Sequence, residues 1–158
     1  MKRPVHLFPL LLFFSMSMAR NTDNPITASK PSTLVPTSTD TADRLRIKAG
    51  SNTFTATLLD QAAVTAFRKQ LPLTLSMNEL NGNEKYAQLP NSLPMSASNP
   101  GTIQAGDLML YGSSTLVVFY ETFQTSYSYT KLGRIDNPAR LAAALGPGNI
   151  TVSFEIQY

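Results

Sequence analysis

Between residues 106 and 135 the chain reads "GDLMLYGSSTLVVFYETFQTSYSYTKLGRI", and the first two of its three strand-like runs carry apolar or aromatic side chains on both faces. A half-solvated strand alternates apolar and polar residues, so strands apolar on both sides must be covered twice. "GDLMLYG" and "STLVVFYETF" meet at "GSS" and predict a hairpin, and "YSYTKLGRI" predicts a further strand. This stretch therefore demands a closed or layered β architecture, wrapped into a barrel or covered by helices.

The remaining chain supplies matching elements. "LRIKA" and "TFTATLL" flank "GSN" and predict a hairpin near the start of the folded part. Asp60 stands where an N-cap belongs, ahead of "QAAVTAFRKQL", with Ala63, Val64, Phe67 and Leu71 at helical spacing and Pro72 at the end. "LTLSM" resumes an extended pattern. Residues 78–104 are dense in Asn, Pro, Ser and Gly and are expected to form a long loop. "DNPARLAAALG" predicts a second helix with Pro138 in its first turn and Gly146 past its end, and "NITVSFEIQY" a closing strand. The order β-β-α-β-loop-β-β-β-α-β predicts a mainly β domain, a small closed barrel or a sandwich, with two short helices.

The first 43 residues are of another kind. Lys2 and Arg3 precede a short apolar run over residues 7–14, and Ser17 and Ala19 are small residues at −3 and −1. That is the pattern of a signal peptide over residues 1–19, cleaved after Ala19, and it predicts export to the periplasm or outside the cell. The run is too short for a membrane span. Residues 20–43 are half Ser, Thr and Pro without apolar periodicity and read as a disordered tether, leaving 44–158 as the folded domain.

Composition removes several chemistries. There is no cysteine, and the single histidine, His6, lies in the leader. The mature chain then has no Ser-His-Asp or Cys-His nucleophile system and no nitrogen- and sulfur-ligated zinc site, so neither a metal nor a cofactor is expected. With Lys2 and Arg3 removed, the net charge falls from +3 to +1. No basic stripe remains for phosphate contacts, which argues against nucleic acid as a partner.

"LPLTLSMNELNGNEKYAQLP", "NPGTIQAGDLMLYGSSTLVVFYETFQTSYSYTKLGRI" and "LAAALGPGNITVSF" together resemble the bacterial cyclophilin-like proteins over about residues 45–158. The resemblance implies a compact eight-stranded β-barrel closed by two helices, a bacterial source and no assigned activity. True cyclophilins use an arginine aimed at the prolyl nitrogen beside an apolar pocket, which lowers a barrier of about 20 kcal/mol to amide rotation. Their Phe-His-Arg motif, tryptophan and pocket histidine are missing here, and "QAGD" only partly resembles their glutamine-glycine stretch.

The candidate site residues follow from chemistry and from strand parity. Arg134 ends an aromatic-rich strand, where it could stack on Tyr127 or Tyr129 or bind a carbonyl, or simply pair with Asp136 at the surface. Tyr127 and Tyr129 share one side of their strand, whereas Phe119 and Tyr120 must oppose each other. Tyr111, Phe119, Tyr127, Tyr129 and Met77 are the pocket candidates, with core packing as the competing role for most. Met95 and Met109 are the other adaptable apolar side chains. Glu79, Glu84, Asp107 and Glu121 are acidic residues expected to be solvated near turns. The leading expectation is an exported domain that binds a peptide or small ligand in a groove on the barrel side. The alternative is a prolyl isomerase with a rewired pocket using Arg134 or Arg46, and a third reading is an interaction module with no deep pocket.

Overall fold

The computed structural model describes residues 44–158; the expected leader and tether, with His6, lie outside the described residues. The first hairpin joins β1 (Arg44–Ala49) to β2 (Asn52–Leu58). In β1 strict alternation puts Leu45, Ile47 and Ala49 inside and Arg44, Arg46 and Lys48 outside. Helix α1 (Ala62–Arg68) buries Ala63, Val64 and Phe67. Its cap position is Gln61 rather than Asp60, and it makes no side-chain capping bond. Tertiary anchoring replaces the cap, because the Gln61 side-chain amide donates to the Lys131 carbonyl.

The expected long loop over residues 78–104 begins with a strand pairing and is a loop only in its second half. β3 (Leu73–Leu80) turns through Asn81 and Gly82, both at positive φ, into β4 (Glu84–Gln88). That Asn-Gly turn is the strongest short-range hairpin signal, and the polar content of the stretch masked it. Only residues 89–101 run as connection before the short β5 (Thr102–Ile103).

Next come β6 (Asp107–Tyr111) and β7 (Thr115–Phe119), which form the expected hairpin, then short β8 (Phe123–Gln124) and β9 (Thr130–Ile135). Helix α2 (Leu141–Leu145) is shorter than the sequence suggests. Pro138 sits in the turn ahead of it, while Gly146 does end it, at φ 64°. β10 (Ile150–Ile156) completes the chain.

Eight strands close in the order β1-β10-β3-β4-β7-β6-β9-β2, every neighbour antiparallel, while β5 and β8 pair separately. The barrel alternative is therefore the observed one. The interior is filled by side chains such as Leu45, Ile47, Met77, Leu110, Leu116 and Phe154, and α1 and α2 add Phe67, Leu141 and Leu145 to the same core. A wall hydrogen-bonded all round admits a helix only at its ends, so the helices seal the openings.

β6 and β7 explain the doubly apolar pattern. Leu108, Leu110, Leu116 and Val118 point into the barrel. Met109, Val117 and Phe119 point out and form a second core with Ile103 and Tyr129. The cover on this outer face is the β5–β8 pair and the segment after it, not a helix. No helix of the described residues is long and apolar enough to cross a membrane.

Two interior features carry the closure. Gly133 lies where β9 passes β2, and a Cβ there would sit 2.4 Å from the Thr57 carbonyl oxygen. The other is Lys85, which points into the barrel end and is fully buried. Its ammonium pairs with Glu79 and donates to the carbonyls of Gly146 (2.7 Å) and Gly148 (2.6 Å), tying β4 to the segment after α2. Tyr120 donates to Glu79 Oε1 at 2.7 Å, and its ring lies 5.5 Å from the ammonium. Burial acts upward on the Glu79 carboxyl, but bonds from Lys85, Tyr120 and the Gly82 amide outweigh it and hold the group below its ordinary 4.5.

Gly133→Ala is expected to destabilise the domain by about 2–3 kcal/mol in denaturant unfolding, because backbone, not a flexible side chain, must move. Gly148→Ala, with open space around it, is the near-neutral control. Glu79→Ala leaves Lys85 buried without its counter-charge and is expected to cost about 3–5 kcal/mol. A lowered native pKa contributes stability above 4.5 and loses it as pH falls through the native value. The wild type should therefore lose this part of its stability on acidification, and Glu79→Ala should not.

Candidate functional site: an aromatic cleft on the outer barrel wall

Strand parity builds the floor of the site. On β4, Lys85 and Ala87 face inward, so Glu84, Tyr86 and Gln88 must face outward. On β7, Thr115 and Val117 share that outer face, paired across from Gln88 and Tyr86. The overlying wall comes from residues 123–129. There the chain is pinned to the 98–103 segment by the two-way Ser98–Tyr129 backbone pair (3.0 Å each) and by Thr125 N donating to Gly101 O (2.9 Å). Asn99 adds a bond from its side-chain amide to the Ser126 carbonyl, 3.1 Å. Between floor and wall lies a cleft of about 540 Å³, bounded at one end by the Leu80–Asn83 turn and at the other by Tyr111. A volume of this size suits a small molecule or a few peptide residues.

The aromatic groups interlock. Tyr129 meets Phe119 edge-on with centroids 5.4 Å apart, and Tyr111 lies 5.6 Å from Tyr129 and 6.2 Å from Tyr127. Phe119 also packs on Phe123 at 5.7 Å. These separations are those of favourable ring pairs. Phe119 is fully buried beneath the cleft, Tyr129 nearly so, and Tyr111 and Tyr127 are about half and more exposed. The rings thus grade from buried base to open rim.

Among the described residues Glu84 is the one charged side chain lining the cleft. It is 9% exposed, and among the described residues its carboxylate makes no hydrogen bond and no ion pair. Its sequence neighbour Lys85 cannot serve, because the pleat sends the two side chains to opposite faces of β4, and Lys85 is already held by Glu79. Burial first, and the charge of Glu79 second, push the Glu84 carboxyl above 4.5. Burial, then the Glu84 charge, also pushes the Tyr129 hydroxyl up, so the two groups feel each other. The adjacent Asn83 side-chain oxygen is buried without a partner.

Of the sequence candidates, Tyr111, Tyr127 and Tyr129 come together on the cleft, and Phe119 supports them from below. Met77 does not join them; it faces inward on β3 and is fully buried in the barrel core. Met109 lies in the outer core, and Met95 is exposed. Tyr120 points away from Phe119, as parity requires, and lies beside Glu79. Arg134 does not line the aromatic cleft. Its guanidinium donates to the Ala105 carbonyl at 3.3 Å, while Asp136 pairs with Arg44. Arg46 pairs with Glu155 beside a separate hollow of about 470 Å³ that contains Pro72 and Tyr158. Gln104 of "QAGD" sits in a tight turn, its backbone amide donating to Asp107.

Two of the four acidic residues depart from expectation, while Glu121 is exposed as expected. Glu84 and Asp107 are buried rather than solvated, Asp107 being paired with Lys131 at 2.9 Å. Glu84, Tyr86 and Gln88 went unrecognised because they fell in the expected loop. The signal that could have found them is the alternation "EKYAQ" directly after an Asn-Gly turn. Among the described residues no cluster of three or more His, Cys, Asp or Glu is placed to hold a metal ion.

The fold and site together define a small closed antiparallel β-barrel with an aromatic cleft on its outer wall. Within that class the chain belongs to the cyclophilin-like family, whose family model matches residues 47–155. Among curated proteins none matches this chain. Of solved structures, the solution structure of a hypothetical protein from Archaeoglobus fulgidus is similar, with a TM-score of 0.57 and 18% identity. The likeness covers 74% of this chain and 96% of that one, and at that identity it shows the fold alone.

An unpaired, buried carboxylate opposes folding when ionised. The stability linked to Glu84 is therefore greatest below pH 4.5 and declines as pH rises through the window above it. Glu84→Gln should match or exceed the wild type in thermal stability at pH 7, with the advantage shrinking as pH is lowered toward 4. A melt in which the variant is markedly less stable at pH 7 would show that Glu84 has a stabilising partner.

Proposed function

We propose that this protein is a binding domain whose ligand, a short peptide or a small molecule, sits in the outer-wall cleft. The observation that carries the reading is the convergence of Tyr111, Tyr127 and Tyr129 above a floor of Tyr86 and Val117, with unpartnered polar groups at one end. Apolar walls with a few unsatisfied polar groups are what a binding site needs, because the walls supply burial and the polar groups supply orientation. The concave, ring-lined surface favours this over an interaction module with a flat face.

Binding without isomerisation is the favoured form. An isomerase of the rewired kind needs an arginine over its pocket floor, and among the described residues no arginine lines this cleft. The proposal includes export, on the strength of the leader pattern in residues 1–19.

Amide chemical-shift mapping of the intact chain against a set of small fragments and short proline-containing peptides tests the reading. Shifts are expected to cluster on residues 84–88, 111–117 and 123–129. A parallel assay of X-Pro isomerisation should show a rate within about twofold of the uncatalysed one, against the large acceleration a working isomerase gives. Hits confined to other surfaces, or strong turnover lost in Arg134→Ala, would overturn the proposal.

A further inference from the structure

The cleft carries one charged group, an acid, and it is left alone by the rest of the fold. Glu84 is nine-tenths buried, lines the cavity and has no hydrogen-bond or ion-pair partner among the described residues. The nearest cation in sequence, Lys85, is consumed on the inner face by Glu79 and two carbonyls. Among the described residues no lysine or arginine lines the cleft. A partner for Glu84 other than solvent must therefore come from outside the domain.

The walls select among possible partners. Tyr86, two residues from Glu84 on the outer face of β4, and Tyr129, packed on the Phe119 that pairs with Glu84, present rings at its end of the cavity, while Tyr111 and Tyr127 stand at the other end. Ring faces attract positive charge through their quadrupole. A carboxylate beside Tyr86 and Tyr129 combines full-charge and quadrupolar attraction for a single positive group. An anionic ligand would meet Glu84 with like charge, and a wholly apolar one would displace its solvent without replacing it. A neutral donor would engage the carboxylate but lack the attraction of the rings for charge.

We infer that the cleft recognises an organic cation, an ammonium or guanidinium group on a short chain, with Glu84 as counter-charge and Tyr86 and Tyr129 as its nearest walls. This rests on the reading of the cleft as a binding site and names the ligand class for it. The cation has two possible sources of the same chemistry: the side chain of a lysine or arginine in a peptide, or a free small-molecule ammonium.

The test uses matched pairs that differ in charge alone. Amide shifts of the intact chain are followed on titration with choline and with its neutral isostere, in which a quaternary carbon replaces nitrogen. A second pair is a capped Ala-Lys-Ala peptide and the same peptide with norleucine in place of lysine. The charged member of at least one pair should bind at the cleft about tenfold or more tightly than its neutral partner. That preference should vanish in Glu84→Gln, and Tyr86→Leu should weaken the cation several-fold, whereas Tyr127→Leu, at the exposed far end of the cleft, should change it less than about twofold. Preference in the choline pair points to a free ammonium, and preference in the peptide pair points to a side chain. Equal affinity within both pairs, with shifts still on the cleft, overturns the cation while leaving a binding cleft. A charge preference that survives in Glu84→Gln overturns the assignment of Glu84 as counter-charge. Absence of cleft shifts with all four probes also overturns the inference, and the fragment mapping above then decides separately whether the cleft binds anything.

Discussion

The double burial of β6 and β7 is the constraint on which the rest of the structure depends. Leu108, Leu110, Leu116 and Val118 complete the barrel interior, and closure of the eight strands leaves no other place for them. Met109, Val117 and Phe119 then lie on the outer wall, where water would make them costly. Covering them recruits the β5–β8 pair and the chain through Tyr129, and that cover stands off the wall beside β4. The cleft is what remains between a covered and an uncovered part of one sheet face. Site and fold thus share a single cause, since the residues that support the site from below also hold its wall in place.

Charge is divided by the same geometry. Glu84 and Lys85 are adjacent in the chain and would cancel in any reading by composition. The pleat separates them. Lys85 enters the barrel end and finds Glu79, Tyr120 and two backbone carbonyls, so its burial is matched by partners on every side. Glu84 is turned to the cleft and finds none. Two carboxylates five residues apart are thereby driven in opposite directions, Glu79 toward the ionised form and Glu84 toward the neutral one. Divergence of this kind, between a group that serves the fold and one the fold leaves unsatisfied, is where binding chemistry is to be sought.

Much of the architecture was legible in the sequence because it rests on periodicity. The β1–β2 and β6–β7 hairpins, both helices and the closing strand all follow from alternation, helical spacing and turn residues. The family resemblance resolved barrel against sandwich. The site was legible only in part. Strand parity correctly grouped Tyr127 with Tyr129 and separated Phe119 from Tyr120. Parity also puts Met77 on the apolar face of β3 with Leu73 and Leu75, opposite the exposed Thr74, Ser76 and Asn78, and that face is the barrel interior rather than the cleft. β4 was missed because five residues between polar turns carry too little pattern to outweigh their surroundings, and Glu84, Tyr86 and Gln88 were missed with it.

By itself the sequence determined the covalent limits and the local geometry: which side chains can share a face, where the chain must turn, and which chemistries its composition denies. Those are short-range properties, decided by sterics and by residue type. Tertiary structure decided which face is inside, what covers the outer wall, and that Glu84 should be buried against the cleft without a partner among the described residues. Those outcomes depend on residues far apart in the chain, such as Glu79, Gly146 and Tyr129, whose meeting is set by barrel closure and by no local pattern.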